Sequence, residues 1–490
     1  MPRRSGAVIC GSVGGVLVGV LGLSACTNAL PRPVVDVASA AARPSAGGST
    51  WQLSSSVRRD VAIVWPRLGR IWPGADFSKH SVIVTDGRCA YLLDARSGGS
   101  ISLDELKKHN IGVPRPGGFE AITWKGRKSI VVRPPEGAGA AAPAKDPLGM
   151  TSPDAAGYTF GLATHEQFHP DVQYDSAAPW HSLIQLDNAS GGAGRAEEYP
   201  LRADPRIDRA MVYNSLLLGL RDPARRAAHL ARAAYWNQRW TDGFPAEAKG
   251  QASVDLLEGT AEYVQQSALA MAAVRDPDDP AQIRARLART LKPMKVAAKG
   301  VEPYAIGTAA LLNADAAGRD VKKTLTTKAT TPLAELLRGV TPAGPQEAPK
   351  DVTDGITRSI ARTNRQLAPV IEPFVAGLQD KKKLVLLLPA DSVTGSMSGT
   401  GFYTTRQLPV TITTGAGATF NPGSGAVRLD KVTVAETRVK DKDYYALPLD
   451  PDNGNFTLED NRLTLKGGHM HGSIVVVRQT DDGQRFLYAQ

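Results

Sequence analysis

The chain has 490 residues, 42% of them hydrophobic, which is enough for two or three domains with cores of their own. Its 58 basic and 48 acidic residues leave a net charge of +10. The excess is dispersed, apart from short runs such as residues 381–383, and aromatic residues are not interleaved with it. Nucleic acid is therefore not an expected partner. The pattern favours a solvated surface over attraction to anionic lipids or acidic wall polymers.

The first 26 residues carry a sorting pattern. Arg3 and Arg4 precede an uncharged run over residues 7–23, which is short for a membrane span, and the run ends in Leu-Ser-Ala-Cys at residues 23–26. This order resembles a bacterial lipoprotein signal peptide. The resemblance implies cleavage before Cys26, lipid on that cysteine, and a mature protein anchored at the extracytoplasmic face of the cell membrane. The alternatives are an ordinary signal peptide and an uncleaved anchor helix.

The segment after the signal is predicted to be a flexible tether. Residues 27–50 are rich in Ala, Pro, Ser and Gly and contain few large apolar side chains, so they cannot bury a core. Cys10 would leave with the signal and Cys26 would be acylated. Cys89 alone would then remain, and no intramolecular disulfide is expected.

Residues 51–147 predict a small α/β unit. Short β-like runs at residues 81–84 and 129–132 alternate with turn signals, and residues 102–109 are a short helix candidate. The unit ends in an Ala/Gly/Pro-rich run over residues 136–147. We interpret that run as a linker or as a flap over a cleft.

Residues 148–380 are predicted to be mostly helical. Two of the candidate helices follow Asp-Pro, where Asp would cap the helix and Pro would occupy the first turn. Trp236 and Trp240 are expected in the core. The predicted helices cover residues 205–220, 223–240, 252–274, 280–291, 303–313 and 352–379.

Residues 381–490 change to a period of two, with turn residues between the apolar runs, and predict an antiparallel β domain. A sandwich or a small barrel is the expected form. The fold class expected for the whole chain is therefore α+β, with a mainly helical central domain.

The most informative motif is His-Glu-Gln-Phe-His at residues 165–169. On a helix, positions i and i+4 project from the same face, so His165 and His169 can both reach one metal ion. Glu166 would lie beside the metal and take a proton from a zinc-bound water. A hydrolytic zinc site also needs a third protein ligand and one open position for water.

A second motif, Glu-Gly-Thr-Ala-Glu-Tyr at residues 258–263, lies in a predicted helix. Together the two motifs resemble the gluzincins, a branch of the zincin metallopeptidases in which a first helix carries His-Glu-x-x-His and a second helix supplies a glutamate. The resemblance implies a zincin-like catalytic domain and Glu258 as the third zinc ligand. It also implies that Glu262 orients a ligand histidine through its free ring nitrogen.

Several features depart from that family pattern. The separation of 89 residues between His169 and Glu258 requires two or more inserted helices, which are compatible with the fold if they pack as a hairpin. Pro170 follows the second histidine directly, so the helix is expected to end at or just after it. A nearer ligand candidate is Asp175, although Val172 stands where metzincin-like proteins have a turn glycine. Glu197 and Glu198 are third in order.

Other candidates concern the oxyanion and the remaining histidines. Tyr304, at the start of a predicted helix, is the first candidate for the donor that stabilises the oxyanion, with Tyr263 and His229 behind it. A packing role for Tyr304 is the competing interpretation. His469 and His471 lack a nearby acid or cysteine and are expected in an exposed loop.

These observations predict a membrane-anchored, extracytoplasmic, zinc-dependent hydrolase, which we expect to be a peptidase acting on a protein or peptide of the cell envelope. The alternative is a non-catalytic envelope lipoprotein that uses a zincin-like fold for binding or scaffolding. Glu166 argues for the enzyme, because a binding protein has no need of a general base.

Overall fold

A computed structural model describes residues 46–135, 148, 150, 154–174, 182, 196–297, 300–481 and 483–490. Cys26, most of the expected tether, the run at residues 136–147 and Asp175 lie outside the described residues. Among the helices that are described, none combines the length and the apolar character needed to cross a membrane.

The described part of the chain mixes helices with two β-sheets. The helices are α1 (Ala46–Val64), α2 (Leu103–Lys108), α3 (Ala155–Phe168), α4 (Ala203–Arg221), α5 (Arg226–Gly243), α6 (Pro245–Ala273), α7 (Pro280–Thr290), α8 (Glu302–Ala316), α9 (Val321–Leu325), α10 (Pro332–Leu337) and α11 (Lys350–Gln379). The strands are β1 (Ser81–Thr85), β2 (Ala90–Asp94), β3 (Gly98–Ile101), β4 (Phe119–Trp124), β5 (Arg127–Val132), β6 (Glu197–Tyr199), β7 (Leu384–Pro389), β8 (Val393–Ser398), β9 (Gly401–Thr405), β10 (Leu408–Phe420), β11 (Ala426–Val439), β12 (Lys442–Leu449), β13 (Phe456–Glu459), β14 (Arg462–Lys466), β15 (Met470–Asp481) and β16 (Gln484–Ala489).

The N-terminal unit is a five-stranded sheet in the order β3-β2-β1-β5-β4, with β1 and β5 parallel. The predicted short helix is confirmed as α2, which begins after Ser102, whose hydroxyl accepts from the Glu105 amide. Helix α1 was not predicted, and it begins at Ala46, inside the segment assigned to the tether. It forms because Val57, Val61 and Val64 share one face and are fully buried.

The N-terminal sheet and the helical region share one hydrophobic core. Side chains from α1, β1, β5 and α3 belong to a single buried cluster. Within it, the Trp65 indole donates to the Thr164 hydroxyl at 3.0 Å, and the rings of Trp72 and Phe168 meet edge to face. Helix α3 is therefore held from one side by α1 and the sheet.

The predicted helices of the central region are confirmed, with differences at their ends. Helix α4 begins at Ala203 after Arg202, so Asp204 lies inside the first turn and does not cap the helix as expected. Asp222 does act as a cap, since its carboxylate accepts from the Arg225 amide. Helices α4 and α5 pack against each other, which is the hairpin that the long insertion requires. The short helices α9 and α10 were not predicted.

The C-terminal region contains a small closed barrel. Strands β7, β12, β11, β15 and β16 form a ring, because β11 pairs with both β12 and β15 and the last strand returns beside β7. The expectation of an entirely antiparallel domain was wrong in one respect, since β7 and β16 are parallel. The short strand β6, which comes from the central region, adds a second parallel pair with β9. Apolar side chains such as Leu386, Phe420 and Ile474 fill the barrel.

Candidate metal centre

The candidate site begins on α3, a helix that is buried over most of its length. Asp154 caps this helix by accepting from the Gly157 amide at 2.7 Å. His165 and His169 are 4% and 6% exposed, so both imidazoles lie in the interior of the protein. Their ring centroids are 5.0 Å apart. The spacing of four residues therefore places the two rings together, as the motif predicts.

The α-helix ends at Phe168, and the chain continues as a π-helical turn over His169–Gln173. The amide of Tyr174 donates to the carbonyl of His169 at 3.0 Å, five residues back. The wider turn accommodates Pro170, which has no N–H for an α-helical hydrogen bond. The expected end of the α-helix near the second histidine is confirmed, but the chain keeps winding beyond it.

Glu258 reaches both imidazoles from α6. Its Oε2 atom lies 3.3 Å from His165 Nε2 and 3.9 Å from His169 Nε2. One potential ligand atom from each of the three residues lies within 4.8 Å of the others. Zinc binds nitrogen and oxygen at about 2.0 to 2.2 Å, so ligands of one ion lie about 3 to 4 Å apart. The arrangement is close to that of a three-ligand site.

Glu262 lies one turn further along α6, on the other side of the His165 ring. Its Oε2 atom is 3.5 Å from His165 Nδ1, while Glu258 faces Nε2. The Gln266 amide donates to the second oxygen of Glu262 at 2.6 Å and fixes the carboxylate. Each nitrogen of His165 thus faces its own carboxylate, the arrangement in which an outer partner orients a ligand imidazole.

The electrostatics of this site favour a cation. Glu166, Glu258 and Glu262 are all buried, and all three act on the His165 imidazole. Burial alone would lower the pKa of this imidazole. Hydrogen bonds to Glu258 and Glu262, with the charge of Glu166, outweigh burial and raise the pKa of His165 to about 10. A proton on His165 or a bound metal ion would each neutralise part of the negative charge of these carboxylates.

Helix α8 completes the wall of the site. A Cβ atom on Gly307 would lie 2.3 Å from the Cα of Gly259, so the backbones of α8 and α6 approach closely at this pair of glycines. The approach brings the Tyr304 ring to 5.9 Å from the His165 ring, nearly parallel to it. The glycine after Glu258 therefore allows the helix contact that positions Tyr304.

The other candidates for the oxyanion donor lie elsewhere. The Tyr263 hydroxyl donates to Asp315 and accepts from Lys322 at 3.1 Å, which gives it a packing and charge-pairing role. His229 is on α5, and its imidazole is 3.9 Å from Asp222.

Two of the competing acids, Glu197 and Glu198, and the C-terminal histidines also lie elsewhere in the described part of the chain. Glu197 is 3.7 Å from Arg206, and Glu198 is hydrogen-bonded to Arg406. His469 is exposed as expected, with Nδ1 3.0 Å from the Asp430 carbonyl. His471 is also exposed, but it lies in strand β15 and not in a loop.

A second buried ionic group lies on the same helices, and we call it the arginine cluster (Arg206, Arg209, Glu247, Asp255 and Glu302). Arg209 binds Asp255 through two nitrogens, at 2.6 and 3.1 Å, and its guanidinium stacks on Trp240. Arg206 and Arg209 both donate to Glu302 Oε2, at 2.5 and 3.2 Å. Through these contacts the inserted helix α4 fixes α6 at Asp255 and the first turn of α8.

Two residues that the sequence did not predict contact His169. The Oε1 atom of Gln173 forms a hydrogen bond with His169 Nδ1. Tyr174 stacks on the His169 ring, with centroids 5.8 Å apart and planes 13° from parallel. Both residues closely follow the motif, which could have marked them as candidates. They were not predicted because the helix was expected to end near His169.

Comparison with protein-family models, with curated proteins and with solved structures finds no match to this chain.

Proposed function

We propose that this protein is a zinc-dependent hydrolase of the gluzincin type that cleaves peptide bonds, with His165, His169 and Glu258 as the metal ligands. The observation that carries the proposal is the convergence of His165 and Glu258, which are 93 residues apart in sequence and 3.3 Å apart in space. Two imidazoles and one carboxylate are a ligand set that catalytic zinc uses. The burial of all three side chains and the excess of carboxylates support a bound cation.

Zinc at this position would act as a Lewis acid towards the substrate carbonyl and lower the pKa of a water molecule to about 7. Glu166, adjacent in sequence to the first ligand, accepts the proton of the attacking water and returns it to the leaving amine. Tyr304, stacked on His165, donates a hydrogen bond to the oxyanion. Glu262 holds the His165 ring in place through Nδ1.

The proposal includes a location. The lipoprotein-like pattern at residues 1–26 supports lipid attachment at Cys26, and the composition of the following residues supports a tether. The enzyme would then act on proteins or peptides of the cell envelope from the outer face of the membrane. The helical core around α3 and α6 is the zincin-like catalytic domain of this proposal.

Metal content and hydrolysis of an unfolded protein substrate test the proposal together. The wild-type protein is expected to hold about one zinc per chain, and Glu166→Gln is expected to keep the zinc while hydrolysis falls by about 100- to 10,000-fold. Glu335→Gln is the matched control, because Glu335 is similarly buried but lies on α10, paired with Arg338.

Two results would contradict the enzyme. If the wild-type protein contains no zinc, the proposed metal centre is refuted. Zinc without hydrolysis that depends on Glu166 favours the envelope scaffold instead.

A further inference from the structure

We infer that Gln173 is the positioning residue for His169. It selects the ring nitrogen that faces the metal, and it ties this ligand to the backbone beside Glu258. The inference rests on the zinc site proposed above. It adds to that site a residue outside both sequence motifs.

The hydrogen bonds of Gln173 determine its orientation. Its side-chain nitrogen donates to the Leu257 carbonyl at 2.9 Å and to the Thr260 hydroxyl at 2.6 Å. A carbonyl can only accept, so the amide nitrogen must lie on this side. The Thr260 hydroxyl is free to accept from Gln173 because it donates to the Leu256 carbonyl at 2.9 Å. The oxygen of Gln173 is therefore the atom that faces His169.

This orientation fixes the tautomer of His169. An amide oxygen only accepts, so the Nδ1 atom that it contacts must carry the proton. The lone pair of His169 then lies on Nε2, the nitrogen 3.9 Å from Glu258 Oε2. Nε2 is thus kept as the metal-binding atom, as an outer partner does for many ligand histidines.

The π-helical turn places Gln173 in this position and is itself held from both sides. On the side of the N-terminal sheet, Asp171 accepts from Lys128 at 2.5 Å and from Gln167 at 2.8 Å, and it lies 2.7 Å from His80. On the side of α6, Gln173 has no exposed surface. The turn therefore lies between the sheet and α6, with His169 and Gln173 buried.

Gln173 also sets the distance between two ligands. Its partner Leu257 directly precedes Glu258, so a single side chain spans the segment that carries His169 and the helix that carries Glu258. Without Gln173, the His169 ring can rotate or change tautomer. Metal binding must then supply the free energy that orders the ring, which lowers the metal affinity. Loss of such an outer partner typically lowers metal affinity by about 10- to 100-fold.

Gln173→Met tests the inference in the full chain, because Met is unbranched and similar in length but forms none of these hydrogen bonds. Zinc affinity is measured by competition with a chelator, and the absorption spectrum of the Co²⁺-substituted protein reports the ligand geometry. The control is Thr164→Val, on α3, where the lost hydroxyl binds Trp65 and the Phe160 carbonyl and no metal ligand. We expect zinc affinity about 10- to 100-fold weaker and an altered Co²⁺ spectrum in Gln173→Met alone.

The outcomes separate this inference from the proposed function. Wild-type affinity and spectrum in Gln173→Met overturn the positioning role, and so does an equal loss in Thr164→Val, which indicates general destabilisation. A wild-type protein that binds neither metal overturns the zinc site and this inference together. Metal binding that depends on Gln173, in a protein without hydrolytic activity, upholds the inference and overturns the enzyme.

Discussion

Two buried ionic groups lie side by side in this protein and differ in the source of their positive charge. The arginine cluster and the ligand cluster (His165, Glu166, His169, Glu258 and Glu262) draw side chains from the same helix, since Asp255 and Glu258 are one turn apart on α6. Helix α8 contributes Glu302 to the first and places Tyr304 beside the second. In each group, acidic side chains are withdrawn from water.

The difference shows how burial can serve structure in one place and chemistry in another. A guanidinium keeps its charge at any physiological pH and holds carboxylates in a fixed planar geometry. The ligand cluster has only imidazoles, whose protons can be exchanged for a metal ion. The arginine cluster therefore clamps the helices permanently, while the ligand cluster needs a cation that can bind and leave.

Exchanging Asp255 and Glu258, one acid of α6 from each cluster, for amides tests this distinction most strongly. Glu258→Gln is expected to lose zinc and all zinc-dependent hydrolysis, because a charged ligand is replaced by a neutral amide. Asp255→Asn is expected to lower stability but to retain the metal. Zinc content and urea unfolding of both variants check this. Equal loss of zinc from the two would mean that the clusters act as one unit.

Removal of a guanidinium is expected to have the largest effect on stability. Arg209→Met leaves Asp255 buried without its bidentate partner, and it should cost about 3 to 5 kcal/mol in the free energy of unfolding, with or without zinc. Arg438→Met is the control, because Arg438 and Asp443 are both exposed and solvent screens such a pair, so that it contributes little to stability. Similar losses in the two variants would refute the clamp.

Substitution of Tyr304, which lies between the two clusters, distinguishes a catalytic role of its hydroxyl from a packing role of its ring. Tyr304→Phe keeps the ring that stacks on His165 but removes the hydroxyl, so kcat should fall by about 100- to 1000-fold while zinc affinity is unchanged. Tyr263→Phe, which loses the bond to Asp315, should affect stability and leave kcat near that of the wild type. An unchanged kcat in Tyr304→Phe would mean that Tyr304 has a packing role and no catalytic role.

Asp208, next to the arginine cluster, gives the smallest and most pH-dependent effect. Burial raises its pKa to about 6, against the charge of Arg239, whose Nε atom is 3.3 Å away. The folded state therefore holds this proton more tightly than the unfolded chain, so its contribution to stability is present below about pH 4 and is lost as the pH rises through 6. Urea unfolding checks this at pH 4 and pH 7. From pH 4 to pH 7, the free energy of unfolding of the wild type should fall by about 2 kcal/mol more than that of Asp208→Asn. If the free energy of unfolding depends on pH in the same way for wild type and Asp208→Asn, the raised pKa is not that of Asp208.

The sequence predicted much of the fold because local patterns are strong there. The Asp-Pro starts and apolar spacing located α4 and α5, and the period of two located β7, β11 and β15 of the barrel but not β12 and β16. Helix α1 escaped prediction because its first residues share the composition of a tether. The parallel pairing of β7 and β16 escaped because the two strands lie at opposite ends of the domain, and no local pattern encodes how they meet.

For the site, the sequence by itself determined which residues share a helical face, because that depends only on a spacing of four. It therefore paired His165 with His169 and Glu258 with Glu262. Tertiary structure brings Glu258 to the histidines across 93 residues and pairs Glu197 with Arg206 instead. It also decided the roles of Gly259 and Gln173. Close approach of two helices and the orientation of a buried amide depend on partners that are distant in sequence.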